Sequence, residues 1–317
     1  MDLLAQMATF VSVVEGKSLS AAARAQRLSL PAVSRQLRAL EADLGTSLIV
    51  RSTRRLHVTD AGAQWYEHCR RTLRDIESAR DAIRGSQAVR GTLVVSAPLT
   101  FGCEVIVPRL TRLAERHPEL CIDLRLEDQL VDLVGEGVDV AVRAGSPPPD
   151  SIAVFAEPLA QMTRVVVAAP RWLRKHGTPR EPAALARYEC LIQVTPSGSV
   201  VRWALARANR PDEIANIEVH GRLRTNTPTA LRDLAIDGAG MAYLPEWLVA
   251  PALAQNRLRR VLPDWSSLPI TAWAIYRKEL RGNARLKAFL EGMPKSHVAA
   301  NPQDAGRFAV VAGFERV

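Results

Sequence analysis

The apolar positions at the start of the chain follow the three- and four-residue spacing of amphipathic helices. The first predicted helix has its apolar stripe at Leu3, Met7, Phe10 and Val14. Gly16 is expected to end this helix as a C-cap, and Ser18 is expected to cap a second, alanine-rich helix over Ser20–Gln26. Two short helices are therefore predicted to open the chain.

A third helix is predicted to begin at Pro31, after the turn Leu28–Leu30, and to run to about Leu44, where Gly45 closes it. Proline suits the first turn because its missing N–H has no helical partner there. The apolar stripe of this helix consists of Val33, Leu37, Leu40 and Leu44. Its opposite face offers Ser34, Arg35 and Arg38. Two helices joined by a tight turn form a helix-turn-helix, whose second helix enters the major groove of DNA.

Two short runs of β-forming residues follow, Leu48–Arg51 and Leu56–Thr59, with the basic segment Ser52–Arg55 between them. This arrangement predicts a wing with a basic tip. Residues 24–55 contain seven arginines and two acids, within a chain of formal net charge +9 and pI ≈ 9.9. A local basic cluster of this kind is what phosphate binding requires.

The segment from Asp60 to about Ser86 has the pattern of one long helix. Its apolar positions alternate steps of four and three, as in a heptad seam, and they are Ala61, Trp65, Cys69, Thr72, Ile76, Ala79 and Ile83. Such a stripe needs a partner. Two interpretations stay open: pairing with a second copy of the chain, with Trp65, Ile76 and Ile83 as dimerisation residues, or packing against the helix's own domain.

Beyond Gly91 the pattern changes to short, β-rich apolar runs. The predicted strands are Thr92–Ser96, Cys121–Leu126, Asp139–Arg143, Arg164–Ala168, Cys190–Val194, Val219–Leu223, Met241–Leu244 and Thr271–Tyr276. Helical patterns lie between most of them, at Glu104–Arg116, Leu130–Glu136, Thr229–Ile236, Trp247–Ala254 and Asn283–Leu290. The alternation predicts an α/β region with a largely parallel sheet, and its length suits two sub-domains better than one.

Composition narrows the class of protein. Of the 317 residues, 47% are apolar and 24% charged, as in soluble globular proteins with a sizeable core. No apolar run approaches the ~20 residues of a membrane span, and Met1 leads directly into a patterned helix without a signal peptide. We therefore expect a cytoplasmic protein without membrane contact.

The chain offers no recognisable chemistry of catalysis or metal binding. Its cysteines are scattered, without the paired spacing that structural zinc needs, at Cys69, Cys103, Cys121 and Cys190. Neither a nucleophile elbow, nor a P-loop, nor an H-E-x-x-H motif occurs. We therefore expect no enzyme, no metal and no cofactor, and reduced thiols that pack as small hydrophobes.

Residues 18–62 closely resemble the DNA-binding signature of LysR-type transcriptional regulators. The matching pieces are Ser18–Ala23, Ala32–Leu37, Leu40-Glu41, Leu44-Gly45, Leu48, Arg51, Arg54 and Thr59–Gly62. Later segments resemble the same family in order, at Val95–Pro98, Asp132–Val134, Gly137–Arg143, Asp237–Ala242 and Leu244-Pro245. The resemblance covers about residues 1–292.

The resemblance implies a winged helix-turn-helix over residues 1–59, a linker and dimerisation helix over 60–89, and a two-lobed α/β sensing domain of the periplasmic-binding-protein type (type 2). Lobe I would comprise 90–162 and 269–293, and lobe II 163–268, with 294–317 as a tail of unassigned role. It further implies sequence-specific binding to double-stranded promoter DNA, modulation by a small effector, homodimers or homotetramers, and RNA polymerase as a candidate partner.

We expect the DNA contacts on the second helix of the helix-turn-helix and on the wing. The predicted contact residues are Ser29, Leu30, Pro31, Ser34, Arg35, Arg38, Arg51, Arg54 and Arg55. The wing arginines would meet phosphates, and Arg35 a base edge or a phosphate. Leu30 departs from the family, which often carries Gln there. Either Leu30 faces the groove and touches a thymine methyl, or it only packs the turn.

Ligands of open α/β sheets bind at the carboxyl ends of strands, where helix N-termini offer free N–H groups. The predicted effector residues lie at or just after such ends, at Ser96, Thr100, Phe101, Gly102, Arg143, Thr195, Asn226 and Thr227. Hydroxyls, an amide and an arginine in one cleft suit a small organic anion such as a carboxylate. The alternative is a purely structural role: turn capping for each residue and, for Arg143, pairing with Glu127 or Asp128.

Redox sensing is the alternative to an effector. Cys103 lies beside the predicted pocket and is a candidate for oxidation, although no resolving cysteine is close in the sequence. A free solute-binding protein would suit the C-terminal pattern but would not carry a helix-turn-helix.

Overall fold

A computed structural model of the protein describes residues 2–51, 56–83, 88–129, 132–133, 135–146, 154–195 and 197–294. The chain forms two compact units, Met1–Gln87 and Ala88–Val317. Arg54, Arg55 and the tail from residue 295 lie outside the described residues.

The first unit is a winged helix-turn-helix followed by a long helix, as predicted. Its elements are α1 (Leu3–Gly16), α2 (Leu19–Gln26), α3 (Leu30–Leu44), β1 (Ile49–Arg51), β2 (Leu56–Val58) and α4 (Asp60–Ile83). Ser18 caps α2 by accepting a hydrogen bond from the backbone N–H of Ala21. Gly45 ends α3 in the left-handed conformation (φ 65°). At the end of α1, Lys17 (φ 49°) takes the conformation expected of Gly16, so the helix includes Gly16.

Apolar faces of the three short helices meet in one core. Phe10, Val13, Val33 and Leu40 are fully buried there, whereas Leu3, at the start of the predicted stripe, is 45% exposed in the first turn of α1. A polar contact joins the same helices, because the buried hydroxyl of Thr9 on α1 contacts the side-chain amides of Gln26 on α2 and Gln36 on α3.

The wing is an antiparallel hairpin fixed to α3 and α4. β1 pairs with β2, with Ile49 opposite Val58. The carboxylate of Glu41 on α3 accepts hydrogen bonds from the N–H groups of Leu48 (2.9 Å) and Ile49 (3.1 Å), so it holds the start of the wing. Thr59 caps α4 by accepting from the N–H of Gly62 at 2.9 Å.

The apolar seam of α4 divides into two halves. In the first half, Cys69 is fully buried in the core of the first unit, and Trp65 packs against that core. Within one chain, this half therefore follows the second interpretation, packing against its own domain. In the second half Thr72 is exposed and Ile76 half-buried, and the side chain of Ile83 lies outside the described residues.

Two five-stranded sheets organise the second unit, one in each lobe. The lobe I strands are β3 (Gly91–Ala97), β4 (Leu120–Leu126), β5 (Val140–Ala144), β6 (Val154–Met162) and β15 (Ile270–Arg277), in the order β4-β3-β5-β15-β6. β3, β4 and β5 are parallel, and β15 is antiparallel to β5 and β6. The lobe I helices are α5 (Leu99–Phe101), α6 (Val107–Arg116) and α10 (Ala284–Gly292), with a π-helical segment, Gly102–Ile106, and a 3-10 turn, Lys278–Leu280.

Lobe II repeats this layout with a second small sheet added. The main strands are β7 (Arg164–Ala168), β8 (Cys190–Gln193), β11 (Arg224–Thr225), β12 (Met241–Pro245) and β13 (Arg259–Val261), in the order β11-β8-β12-β7-β13. The small sheet comprises β9 (Trp203–Arg207), β10 (Arg210–Ile217) and β14 (Trp265–Ser266). The helices are α7 (Pro170–His176), α8 (Pro228–Ile236) and α9 (Glu246–Ala254), with a 3-10 helix at Pro182–Arg187. β8, β11 and β12 are parallel.

The chain crosses between the lobes twice, at Thr163 between β6 and β7 and again between β14 and β15. The two lobes also share apolar core: Phe101 of lobe I packs edge-to-face on Trp247 of lobe II, with ring centroids 5.9 Å apart. The mixed α/β architecture predicted from the alternation of strands and helices is confirmed.

Two predicted elements of the second unit are wrong. The described residues of Leu130–Glu136 form a turn rather than a helix, which Gly137 (φ 63°) closes. Val219–Leu223 is not a regular strand. Its carbonyls instead accept isolated backbone hydrogen bonds from β8, His220 O from Cys190 N–H and Leu223 O from Ile192 N–H. The regular strand of this region is the two-residue β11.

Candidate functional site

The start of α3 is the exposed end of the helix-turn-helix. Ser29 is exposed and caps α3 by accepting from the N–H of Ala32 at 3.3 Å, which leaves its own hydroxyl proton free for a phosphate. Leu30 is 48% exposed, so packing within the turn does not account for it. Pro31 beside it is also exposed. Three predicted contact residues thus share one solvent-facing helix end.

Arginines extend this surface along α3. Arg35 and Arg38 are exposed, one turn apart. Arg38 folds back to donate to the carbonyl (3.3 Å) and the hydroxyl (3.4 Å) of Ser34, which is half-buried. Arg51 ends β1, but its side chain lies outside the described residues together with Arg54 and Arg55.

In the second unit, the carboxyl ends of the parallel strands of lobe I bring Ser96 and Arg143 together. Arg143 donates from Nη2 to Ser96 Oγ (2.8 Å) and to Gln129 O (2.9 Å), and from Nη1 to Val142 O (2.8 Å). Ser96 in turn donates to the carboxylate of Glu127 at 3.3 Å. These two predicted effector residues are therefore bonded to each other and to the protein.

The surrounding charges also favour a role for Arg143 within lobe I. Burial lowers its pKa, while the carboxylates of Glu127, Asp128 and Glu136 act in the opposite direction and stabilise the cation. That Arg143 contacts the effector stays a prediction. Its hydrogen bonds and the nearby acids favour the open alternative, in which lobe I itself uses the guanidinium.

Of the predicted effector residues that follow β3, two pack within the fold and one is a candidate for ligand contact. Phe101 packs on Trp247, and Gly102 allows close packing, because a Cβ there would lie 2.1 Å from Leu126 Cδ2. Thr100 differs: it is buried and its hydroxyl has no hydrogen-bond partner among the described residues. A buried hydroxyl without a partner is costly, so Thr100 is the candidate ligand contact of this segment.

Lobe II presents a second set of polar groups at the corresponding edge. Because β8 and β11 are parallel, Thr195 and Asn226 follow neighbouring carboxyl ends. Thr195 accepts from the N–H of Ser199 at 3.1 Å, which closes its loop. Thr227 donates to Asn226 Oδ1 at 3.2 Å and occupies the N-cap of α8 without capping it. Because Pro228 has no N–H, the first N–H groups that α8 can offer to an anion are those of Thr229 and Ala230.

Arg164 was not among the predicted effector residues, yet it lies at this edge. It begins β7, which runs antiparallel to β12 and pairs Arg164 with Pro245 at the carboxyl end of β12. Its Nη1 donates to the side-chain oxygen of Gln193 at 2.9 Å, and its guanidinium lies 5.8 Å from the ring centroid of Tyr243. Burial lowers the pKa of Arg164, and no carboxylate counteracts this effect. The available signal was an arginine at the start of an apolar strand directly after the crossover.

The cysteines differ in exposure. Burial raises the pKa of the Cys69 and Cys190 thiols to about 12, so both are unreactive near neutral pH. Cys103 and Cys121 are free and exposed. No group of His, Cys, Asp and Glu suited to a metal occurs within the described residues. None of the helices in these ranges combines the length and apolar character needed to cross a membrane.

Comparisons with known proteins agree with this two-part architecture. The family model for the bacterial regulatory helix-turn-helix protein, lysR family, matches residues 4–63. The family model for the LysR substrate binding domain matches residues 86–295. The regulator PtxR of Pseudomonas aeruginosa is 34% identical over 92% of this chain and 92% of its own length. The probable regulator LtrA of Klebsiella pneumoniae is 31% identical over 95% of this chain and 97% of its own.

Solved structures support the same conclusion. CrgA, a LysR-type transcriptional regulator from Neisseria meningitidis, is 29% identical with a TM-score of 0.57, covering 90% of this chain and 96% of that one. The full-length Vibrio cholerae virulence activator AphB is 25% identical with a TM-score of 0.57, covering 91% and 97%. The chain therefore belongs to the LysR family of DNA-binding transcriptional regulators.

Proposed function

We propose that this LysR-type regulator controls transcription in response to a small organic anion bound between lobes I and II. The anion would lie between their ligand edges, which are the sheet edges at the carboxyl ends of the parallel strands. The buried, unpartnered hydroxyl of Thr100 carries the proposal. The uncapped N-terminus of α8 supports it, because its N–H groups and partial positive charge favour an anion.

A contact between the two lobes supports a shared site. Glu104, one turn beyond Thr100, accepts a hydrogen bond from Arg232 of α8 at 3.1 Å. The segment that follows Thr100 therefore contacts the helix that follows Asn226. A ligand held by both edges would change the balance between two arrangements of the lobes, by as much as its affinity for them differs.

On the DNA side, we propose that α3 reads the major groove with Arg35 and Leu30, while Arg38 contacts the backbone. Their exposure along the first half of α3 supports this assignment. A leucine at the groove would favour a thymine methyl over an adenine edge. Binding should fall steeply with salt, because several arginines displace counterions.

Pairing of two chains through the second half of α4 completes the proposal. Thr72 and Ala79 are exposed and Ile76 is half-buried, whereas Cys69 is used by the chain's own core. Ile76→Asp should shift the protein toward monomer in light scattering. A monomeric unmutated protein would contradict this pairing.

Calorimetry with carboxylates and their amides tests the effector. The unmutated protein should bind at least one acid more tightly than its amide, and the double variant Thr100→Val, Asn226→Ala should lose most of this binding. Thr178→Val with Asn209→Ala, at exposed positions of lobe II, is the matched control. Equal binding of acid and amide would remove the proposal.

Redox sensing through Cys103 is tested together with the effector. Cys103→Ser should respond to the effector as the unmutated protein does, and peroxide should leave DNA binding unchanged. A peroxide response that Cys103→Ser abolishes would favour the alternative function.

A further inference from the structure

We infer that Arg164 is the residue that selects an anionic effector over a neutral one; this inference rests on the proposed effector site. None of the sequence patterns described above assigns such a role to Arg164. Four observations on Arg164 carry the inference: the position of the residue, the missing counter-charge, the free N–H groups of the guanidinium, and the way the neighbours hold it.

Position is the first observation. Arg164 opens β7, opposite Pro245 at the carboxyl end of β12, and bonds to Gln193 at the carboxyl end of β8. The loop that begins at Thr195 follows directly, and its Thr195, Ser197 and Ser199 side chains carry hydroxyls. A guanidinium therefore stands at the same edge as the polar loop, where ligands of such sheets bind.

Charge is the second observation. Arg164 forms no ion pair within the described part of the chain, and its pKa is lowered by burial without a carboxylate to offset this. Glu246 begins α9 at the same edge, but its carboxylate is already held by Arg260 (3.1 Å) and by the hydroxyl of Thr163 (3.1 Å). A largely buried cation without an anion is an arrangement that proteins avoid unless a partner arrives.

The third observation concerns the remaining N–H groups. Of the guanidinium nitrogens, Nη1 donates to Gln193, while Nε and Nη2 have no acceptor among the described residues. Both nitrogens keep some exposure to solvent. Two adjacent N–H donors on a planar fork match the two oxygens of a carboxylate.

The neighbours of Arg164 hold the fork in place before any ligand binds. Gln193 fixes one arm, the ring of Tyr243 lies beneath the guanidinium at 5.8 Å, and Ser267 accepts from the backbone N–H of Arg164 at 2.8 Å. Such preorganisation reduces the entropy lost on binding. The geometry points to a singly charged carboxylate as the group that completes this site.

The test compares Arg164→Gln, Arg164→Lys and the exposed control Arg171→Gln in the full-length protein. Calorimetry uses acetate, pyruvate, benzoate and their amides as probes. Arg164→Gln should weaken binding of the preferred acid by about 10- to 100-fold and leave its amide within about threefold, so that the preference for the acid disappears. Arg164→Lys should restore part of the preference, and Arg171→Gln should resemble the unmutated protein.

The outcomes separate the inference from the proposed function. An Arg164→Gln variant that keeps the acid preference of the unmutated protein overturns the role of Arg164 and leaves the effector site standing. An unmutated protein that binds no acid more tightly than its amide overturns both. A second measurement guards against misfolding: Arg164→Met without ligand should keep or raise Tm, because it removes a buried cation that lacks an anion. A fall in Tm of several degrees would assign Arg164 a structural role instead.

Discussion

The ligand edges of the two lobes have the same layout but differ in the charges around one arginine of each. Each edge carries a partly buried arginine beside a strand end. In lobe I, Arg143 donates three hydrogen bonds to the protein and lies among Glu127, Asp128 and Glu136. In lobe II, Arg164 has no carboxylate partner among the described residues, which also leave two of its N–H groups without an acceptor. An arginine at a strand end is therefore a candidate ligand residue only when the fold does not already supply its anion.

The largest expected effect tests how tightly lobe II is packed at the opposite edge of its sheet, where β8 begins. A Cβ on Gly221 would lie 1.6 Å from the carbonyl oxygen of Cys190 in β8, a backbone atom that cannot move without disrupting the sheet. Gly221→Ala should therefore destabilise the second unit by more than about 4 kcal/mol. Thermal unfolding measures the loss.

Two other glycines calibrate this prediction. Gly102→Ala meets only the tip of the Leu126 side chain, which can turn aside, so about 1–3 kcal/mol is expected. A Cβ on Gly292 meets nothing within 4 Å, and Gly292→Ala is the control. If Gly221→Ala were as stable as this control, the close packing of residue 221 on β8 would be wrong.

The next effect tests the comparison of the two arginines directly. Arg143→Met removes three hydrogen bonds and leaves three carboxylates without their cation, so the free energy of unfolding should fall by about 2–3 kcal/mol. Arg164→Met should cost nothing or stabilise. Urea denaturation of both variants gives the two values, and equal losses would contradict the distinction between a structural and a ligand arginine.

Local features of the first unit could be predicted from sequence because they depend on neighbours in the chain. Ser18 and Gly45 act within one helical turn of their own positions, and the wing follows from adjacent β-forming runs. The burial of Trp65 against its own domain was left open, because a heptad stripe shows that a partner exists but not which one.

The ligand edge was predicted less well, for a physical reason. The strand end at Ser96 is visible as the end of an apolar run, and Asn226 is visible as a residue that opens a helix. Whether an arginine is free depends on residues brought near by sheet register, such as Glu127 beside Arg143 and Gln193 beside Arg164. The bond of Arg143 to Ser96 joins residues 47 positions apart and that of Arg164 to Gln193 residues 29 positions apart, so no local pattern reports them.

A smaller effect is expected for the ion pair that joins the two lobes. Glu104 and Arg232 are 3.1 Å apart, with 41% and 24% of their side chains exposed, so solvent screens their attraction. A double-mutant cycle with Glu104→Ala and Arg232→Ala should give a coupling of about 0.5–1 kcal/mol. The coupling should shrink at high salt. No coupling at low salt would remove this pair as a link between the lobes.

The smallest effect, and one of opposite sign, is expected at Thr100. Its buried hydroxyl has no partner in the described part of the chain, so Thr100→Val replaces an unsatisfied group by a methyl of similar size and should stabilise the ligand-free protein by up to about 1 kcal/mol. Thr9→Val is the matched comparison, because the hydroxyl of Thr9, which is also buried, bonds to Gln26 and Gln36. This variant should lose about 1–2 kcal/mol. Urea denaturation without effector measures both. If Thr100→Val destabilised as Thr9→Val does, the Thr100 hydroxyl would have a protein partner and would no longer be free to receive a ligand.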